Sequence, residues 1–267
     1  MPIHTSAPIK VFGQEEFHAI DRVVTGTAFK VHNEYGRYFD ERLYQAELAQ
    51  RFSALGLDVL REMRMTLTLD DFRKDYYADF LLNGGVIVET KTADSLTRAH
   101  KAQVLNYLYM CGLHHATLLN LRPERVQHQF VSTSYTQDQR RKISVENAHW
   151  EPMSTHCELL KATLLRTLED WGACLDPIAY RDAVTHFLGG ESRVAKEVEI
   201  RSGREILGRQ TMHLLSPDAA FSITAAVHSP ATVLEHLRRF LWHTQLRAMQ
   251  WVNLDGPKAT FHTIKRA

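Results

Sequence analysis

The chain has 267 residues, of which 44% are hydrophobic, and a formal net charge of +1. That length holds one large domain or two small ones with enough apolar material for packed cores. The near-neutral charge removes any global electrostatic case for nucleic-acid binding, so a basic surface must be local. No apolar run approaches the length of a membrane span, and the start, MPIHTSAPIK, lacks the apolar core of a signal peptide. Cys111, Cys157 and Cys174 have no metal-ligand spacing and read as free thiols, which points to a reducing cytoplasm. The 15 histidines are scattered; the adjacent pair His114-His115 reads as a surface feature at a helix end.

Residues 15–34 carry Phe17, Ile20, Val23, Val24, Ala28 and Val31 near the 3.6-residue period and predict a helix that Gly36 ends. A second helix is expected from Phe39 to Ala54, stopped at Gly56, with Leu43, Leu48, Phe52 and Leu55 as its apolar stripe. Leu57 to Leu69 alternates as a strand and leads into the polar turn Asp70-Asp71. Tyr76–Leu82 and Val86–Thr92 are two further strands joined by Asn83-Gly84-Gly85, a short-hairpin signal. A helix follows from Leu96 to Gly112 with Ala99, Ala102, Leu105 and Leu108 on one face, then strands at Ala116–Leu121 and Val126–Val131. Strands outnumber the helices that could connect them in parallel, so the expected class is α+β with a mixed sheet. STSYTQDQRRK (132–142) is polar and aperiodic and opens a linker expected over about 132–154. Thr155–Trp171 then reads as a helix.

The hairpin carries the chemistry. A three-residue loop sets Leu82 opposite Val86, and the ladder then runs back to set Asp79 opposite Glu89. Alternation puts Asp79, Glu89 and Lys91 on one face, with Val88 and Thr90 on the other. Two opposed carboxylates with Cβ atoms roughly 5 Å apart repel, and a hairpin selected for stability alone would avoid them. A divalent cation removes the conflict, because Mg²⁺ takes a few carboxylate oxygens and keeps its other positions for water and phosphate.

This D-x₉-E-x-K arrangement resembles the core of the PD-(D/E)XK nuclease superfamily, although Ala78 stands where the classical proline would be. Gln103 and Tyr107, one helical turn apart, resemble the Q-x₃-Y motif of its exonuclease-like branch. The stretch VHNEYGRYFDERLY resembles the signature of the GxxExxY proteins within it, through Val31, His32, Gly36, Glu41 and Tyr44; Tyr38 replaces the first glycine of the naming motif. The resemblance spans roughly 20–131 and includes Asn106, Tyr107 and Leu108. It implies a restriction-endonuclease-like fold in which Asp79 and Glu89 bind Mg²⁺ or Mn²⁺. Glu41, otherwise a helix-end acid, joins them as a metal ligand. Lys91 then positions water or stabilises the phosphate, and Gln103 and Tyr107 orient substrate or Lys91.

The second half repeats the first. QVLNYLYMCGLHHATLLNL (103–121) aligns with HLRRFLWHTQLRAMQWVNL (236–254), FDERLY (39–44) with LDPIAY (175–180), and VETKTA (88–93) with FSITAA (221–226). Glu41 then meets Pro177, Asp79 meets Met212 or His213, Glu89 meets Ser222, Lys91 meets Thr224 and Gln103 meets His236. No carboxylate pair survives in that copy. The expected organisation is a nuclease-like domain over 1–134 and a degenerate repeat over 135–267. In solution it would be a monomer with pseudo-dimeric lobes or a weak homo-oligomer. The expected activity is Mg²⁺-dependent hydrolysis of nucleic-acid phosphodiesters, with DNA ahead of RNA as substrate and Arg238, Arg239 and Arg247 as candidate phosphate contacts. Two other outcomes are compatible with the residues: a non-cleaving binding or regulatory module on the same fold, and a nuclease active only within a larger complex.

Overall fold

The computed structural model describes residues 2–226 and 229–266. The chain divides into two compact units: Met1–Thr68 with Arg73–Gln137, and Leu69–Phe72 with Asp138–Ala267. In the first unit the order is β1 (Ile3–Thr5), α1 (Gln14–Tyr35), α2 (Glu41–Ala54), β2 (Val59–Leu69), β3 (Phe72–Leu82), β4 (Val86–Lys91), α3 (Arg98–Cys111), β5 (His115–Asn120) and β6 (Gln127–Ser132). The strands form one six-stranded sheet in the order β1-β2-β3-β4-β5-β6. β4 runs parallel to β5 and antiparallel to β3, so the sheet is mixed. The parallel step is made possible by α3, the crossover between β4 and β5.

The core lies where α1 and α2 cover one sheet face. Val24, Ala28 and Val31 of α1 and Tyr44, Leu48 and Phe52 of α2 meet Phe80, Leu82, Val86, Val88 and Leu119. Each large apolar side chain so buried contributes roughly 1.5–3 kcal/mol. The buried stripe of α2 is Tyr44-Leu48-Phe52, whereas the expected Leu43 and Leu55 are exposed. A spacing of four along 44, 48 and 52 keeps one face, and residues 43 and 55 fall outside it. In α3 the buried face is Val104, Tyr107, Leu108 and Cys111, while Ala99 and Ala102 are exposed. Alanine fits either side of a helix, so it did not mark the face.

The second unit contains α4 (Gln137–Arg141), whose first residue lies in the first unit, then β7 (Ser144–His149), α5 (Thr155–Trp171), α6 (Pro177–Phe187), α7 (Glu191–Val194), β8 (Ala195–Ser202), β9 (Glu205–Ser216), β10 (Ala219–Thr224), α8 (Pro230–Trp242), β11 (Ala248–Asp255) and β12 (Lys258–Lys265). Its sheet order is β7-β12-β11-β10-β9-β8. The stretch expected as a linker therefore holds a short helix and a strand. β7 pairs in parallel with β12, and all six of its residues are exposed. A strand with no buried face shows no apolar alternation, which hid it from the sequence. Arg140 in the same stretch is buried, and its guanidinium donates to the carbonyls of Trp171 (2.9 Å) and Ala173 (2.7 Å) at the end of α5.

Each unit alone shows the same internal plan. In the first, α1 and α2 precede β2–β4, α3 crosses to β5, and β6 returns antiparallel; in the second, α5 and α6 precede β8–β10, α8 crosses to β11, and β12 returns antiparallel. Registers agree as well: Lys91 pairs with Asn120 across the parallel step, and Thr224 pairs with Asn253. The Asn120 side chain bonds both backbone groups of Ala93 (2.7 and 3.0 Å), and Asn253 does the same to Ala226 (2.8 and 3.2 Å). The Tyr44 hydroxyl donates to the Gly36 carbonyl at 2.6 Å, and the Tyr180 hydroxyl donates to that of Gly172 at 2.6 Å. In both places the glycine caps the preceding helix at positive φ (72° and 78°) and an aspartate caps the next. The units differ in the strand at the sheet edge: β1 joins β2, whereas β7 joins β12.

Candidate active site

The hairpin register runs Leu82↔Val86, Leu81↔Ile87, Phe80↔Val88, as the three-residue loop requires, with Asn83 and Gly84 both at positive φ. One step further the two carboxylates do not simply face one another. The Asp79 carboxylate turns to the β4 backbone, where its Oδ2 accepts from the Thr90 amide (2.7 Å) and hydroxyl (2.6 Å). Gln45 of α2 in turn donates to the Thr90 hydroxyl at 3.0 Å. Asp79 Oδ1 accepts no hydrogen bond among the described residues.

Glu89 is 2% exposed and is held from the α3 side. Its Oε1 accepts from Lys91 Nζ at 2.6 Å and from Gln103 Nε2 at 3.0 Å, while Gln103 also donates to the Tyr107 hydroxyl at 2.7 Å. Its Oε2 takes only a long contact, 3.4 Å, from the Asp79 amide. Burial, then the Asp79 charge, pushes the Glu89 carboxyl up to about 7, against the pull of Lys91. The Lys91 ammonium is held above its ordinary range: Glu89, Asp79 and Glu41 together outweigh the burial that opposes its charge. Burial likewise raises the Tyr107 hydroxyl, which stays a neutral donor and acceptor.

Glu41 starts α2, and its Oε2 accepts from the Thr92 amide at 3.0 Å, one residue beyond β4. The fold thus brings Asp79, Glu89, Lys91, Gln103 and Tyr107 together, with Glu41 beside them. Among the described residues no group of three or more His, Cys, Asp or Glu side chains is gathered as a metal site. A hard divalent cation fits the donor set nonetheless. Two carboxylates offer oxygens with spare lone pairs, the charge of one destabilises the other, and Mg²⁺ is content with one or two carboxylates plus water.

Thr90 and Gln45 are participants that the sequence reading missed. Gln45 stands one turn after Glu41, so the pair share a face of α2 turned towards the end of β4, and that spacing was a usable signal. Arg238, Arg239 and Arg247 lie in the second unit, all exposed. Arg239 pairs with Glu235 (3.2 Å) and Arg247 with Asp218 (3.4 Å), surface contacts that yield readily to a competing anion. At the positions matching Glu89 and Lys91 the second unit has Ser222 and Thr224, and the Trp251 indole donates to the Thr224 hydroxyl at 2.9 Å. The register pairs His213 with Phe221, which places Met212, not His213, at the position of Asp79.

A mixed sheet flanked by helices, with two carboxylates and a lysine at the end of adjacent strands, defines a restriction-endonuclease-like fold. Residues 18–132, from within α1 to the end of β6, match the family model of the PD-(D/E)XK nuclease superfamily. No curated protein matches the chain. Among the described residues no helix is long and apolar enough to cross a membrane.

Proposed function

We propose that the first unit is a divalent-cation-dependent nuclease of the GxxExxY type, acting on DNA or RNA with DNA preferred. The second unit is a copy of the same fold that has lost its chemistry. The observation that carries the reading is the continuous network Tyr107–Gln103–Glu89–Lys91, set beside Asp79. Asp79 and Glu89 would hold Mg²⁺ or Mn²⁺, which supplies a lowered water pKa and a polarised phosphate when bound. Glu41 either joins them or keeps Thr92 in place. Thr90 and Gln45 fix the Asp79 carboxylate, while Gln103 fixes Glu89, so neither must reorganise during the reaction. Lys91 remains an ammonium and offers its charge where negative charge grows on the scissile phosphate. Arg238, Arg239 and Arg247, exposed on the second unit, would offer phosphate contacts of that unit's own.

The test is cleavage of single- and double-stranded DNA and RNA with Mg²⁺ or Mn²⁺, comparing wild type with Lys91→Ala. The variant is expected to lose turnover on the order of 10²-fold or more. Cleavage by the variant at the wild-type rate would refute the mechanism. Binding without cleavage by the wild type would favour the non-cleaving module.

A further inference from the structure

The loop between α1 and α2 presents an aromatic side chain that the catalytic reading does not use. Tyr38 is 77% exposed, the largest exposure among the big hydrophobic side chains of the described residues, and Phe39 (42%) and Tyr35 (40%) flank it. This exposure is built, because the backbone on both sides of Tyr38 is tied down. The Tyr44 hydroxyl accepts from the Phe39 amide (3.4 Å) and donates to the Gly36 carbonyl (2.6 Å). The Arg122 guanidinium donates to the Arg37 carbonyl (3.1 Å) and to the Thr92 carbonyl (3.5 Å), so it links the loop to the residue after Lys91. Glu41, three residues past Tyr38, grips the amide of that same Thr92. A rigid loop therefore holds a phenol ring out in water next to the catalytic strand end.

The surroundings indicate what would cover it. Arg37 lies 5.1 Å over the Tyr38 ring and also donates to its hydroxyl at 3.1 Å. Arg42 is exposed and Arg122 half-buried nearby, against the acids Asp40, Glu41 and Glu124. Aromatic faces interleaved with guanidinium groups suit a polyanion that also carries flat rings. Along a duplex the base faces are already stacked on one another, apart from the outer face of each end pair; an unpaired base has both faces to offer.

We infer that Tyr38 is a stacking platform for an unpaired base, which makes single-stranded nucleic acid the substrate of the neighbouring site. The inference rests on the nuclease reading and names its substrate class. It is tested by fluorescence anisotropy with a labelled single-stranded oligonucleotide and its blunt duplex, in a Lys91→Ala background with Mg²⁺. Adding Tyr38→Ala should weaken single-strand binding at least about fivefold, the size of one lost base–aromatic stack, and leave the duplex unchanged. Tyr38→Trp should retain single-strand affinity. Equal single-strand affinity with and without Tyr38, or an equal loss on both forms, would overturn the platform and leave the nuclease reading intact. If Lys91→Ala binds neither form and the wild type cuts neither, both readings fall.

Discussion

Replacing Glu89 by glutamine tests the electrostatics of the site without any substrate. The Glu89 carboxyl is displaced from 4.5 to about 7 by burial and by Asp79. Its proton is held more tightly in the folded than in the unfolded chain, so its contribution to stability is complete below pH 4.5. That contribution drains away as the pH rises towards 7. A displacement of that size, at about 1.4 kcal/mol per pH unit, amounts to roughly 3 kcal/mol. The glutamine side chain keeps the shape and cannot ionise. Wild type and Glu89→Gln are therefore expected to be of similar stability near pH 4.5, with the variant gaining by up to about 3 kcal/mol at pH 8. Equilibrium urea unfolding of both proteins in EDTA across that range measures the difference directly. A difference that stays flat with pH would show that Glu89 ionises as freely in the fold as in water, and the crowded-carboxylate account would be wrong.

The same repulsion should make the wild type respond to cations: Mg²⁺ or Mn²⁺ is expected to raise its thermal midpoint by mass action, and Asp79→Asn should abolish most of that rise. Equal shifts in the two proteins would remove Asp79 from the site. Glu41→Gln separates two roles. As a ligand, Glu41 would cost metal affinity when lost; as a bond to Thr92 at a helix start, its loss would cost about 1 kcal/mol of stability and leave metal affinity unchanged, as isothermal titration beside urea unfolding would show.

The hairpin was legible because its turn, its register and its odd pair of acids all belong to one short stretch. Gln103 and Tyr107 were legible because one helical turn separates them. Thr90 was not: alternation set it on the face opposite Asp79, Glu89 and Lys91, where Gln45 of α2 reaches it, but side-chain direction does not say that Asp79 will bend between strands to reach its amide. β7 escaped notice for the opposite reason, since a strand exposed along its whole length leaves no periodic trace. The relation between the halves rested on few identities. Two of them, Tyr44 with Tyr180 and Asn120 with Asn253, make matching hydrogen bonds in the two units.

Those tyrosine and asparagine joints supply none of the carboxylates or the ammonium themselves, although Asn120 pairs directly with Lys91. This division of labour has a consequence for what each unit requires in order to fold. Tyr180 and Asn253 tie backbone segments of the second unit together, whereas Met212, Ser222 and Thr224 stand where the first unit has its charged groups. The Trp251 indole donates to the Thr224 hydroxyl at the position that Lys91 takes in the first unit, so no buried charge there needs a counter-charge. A unit of this plan can therefore fold without the charged groups. The two units share one internal plan of helices and strands, but among the described residues only the first carries a pair of carboxylates with a lysine on it.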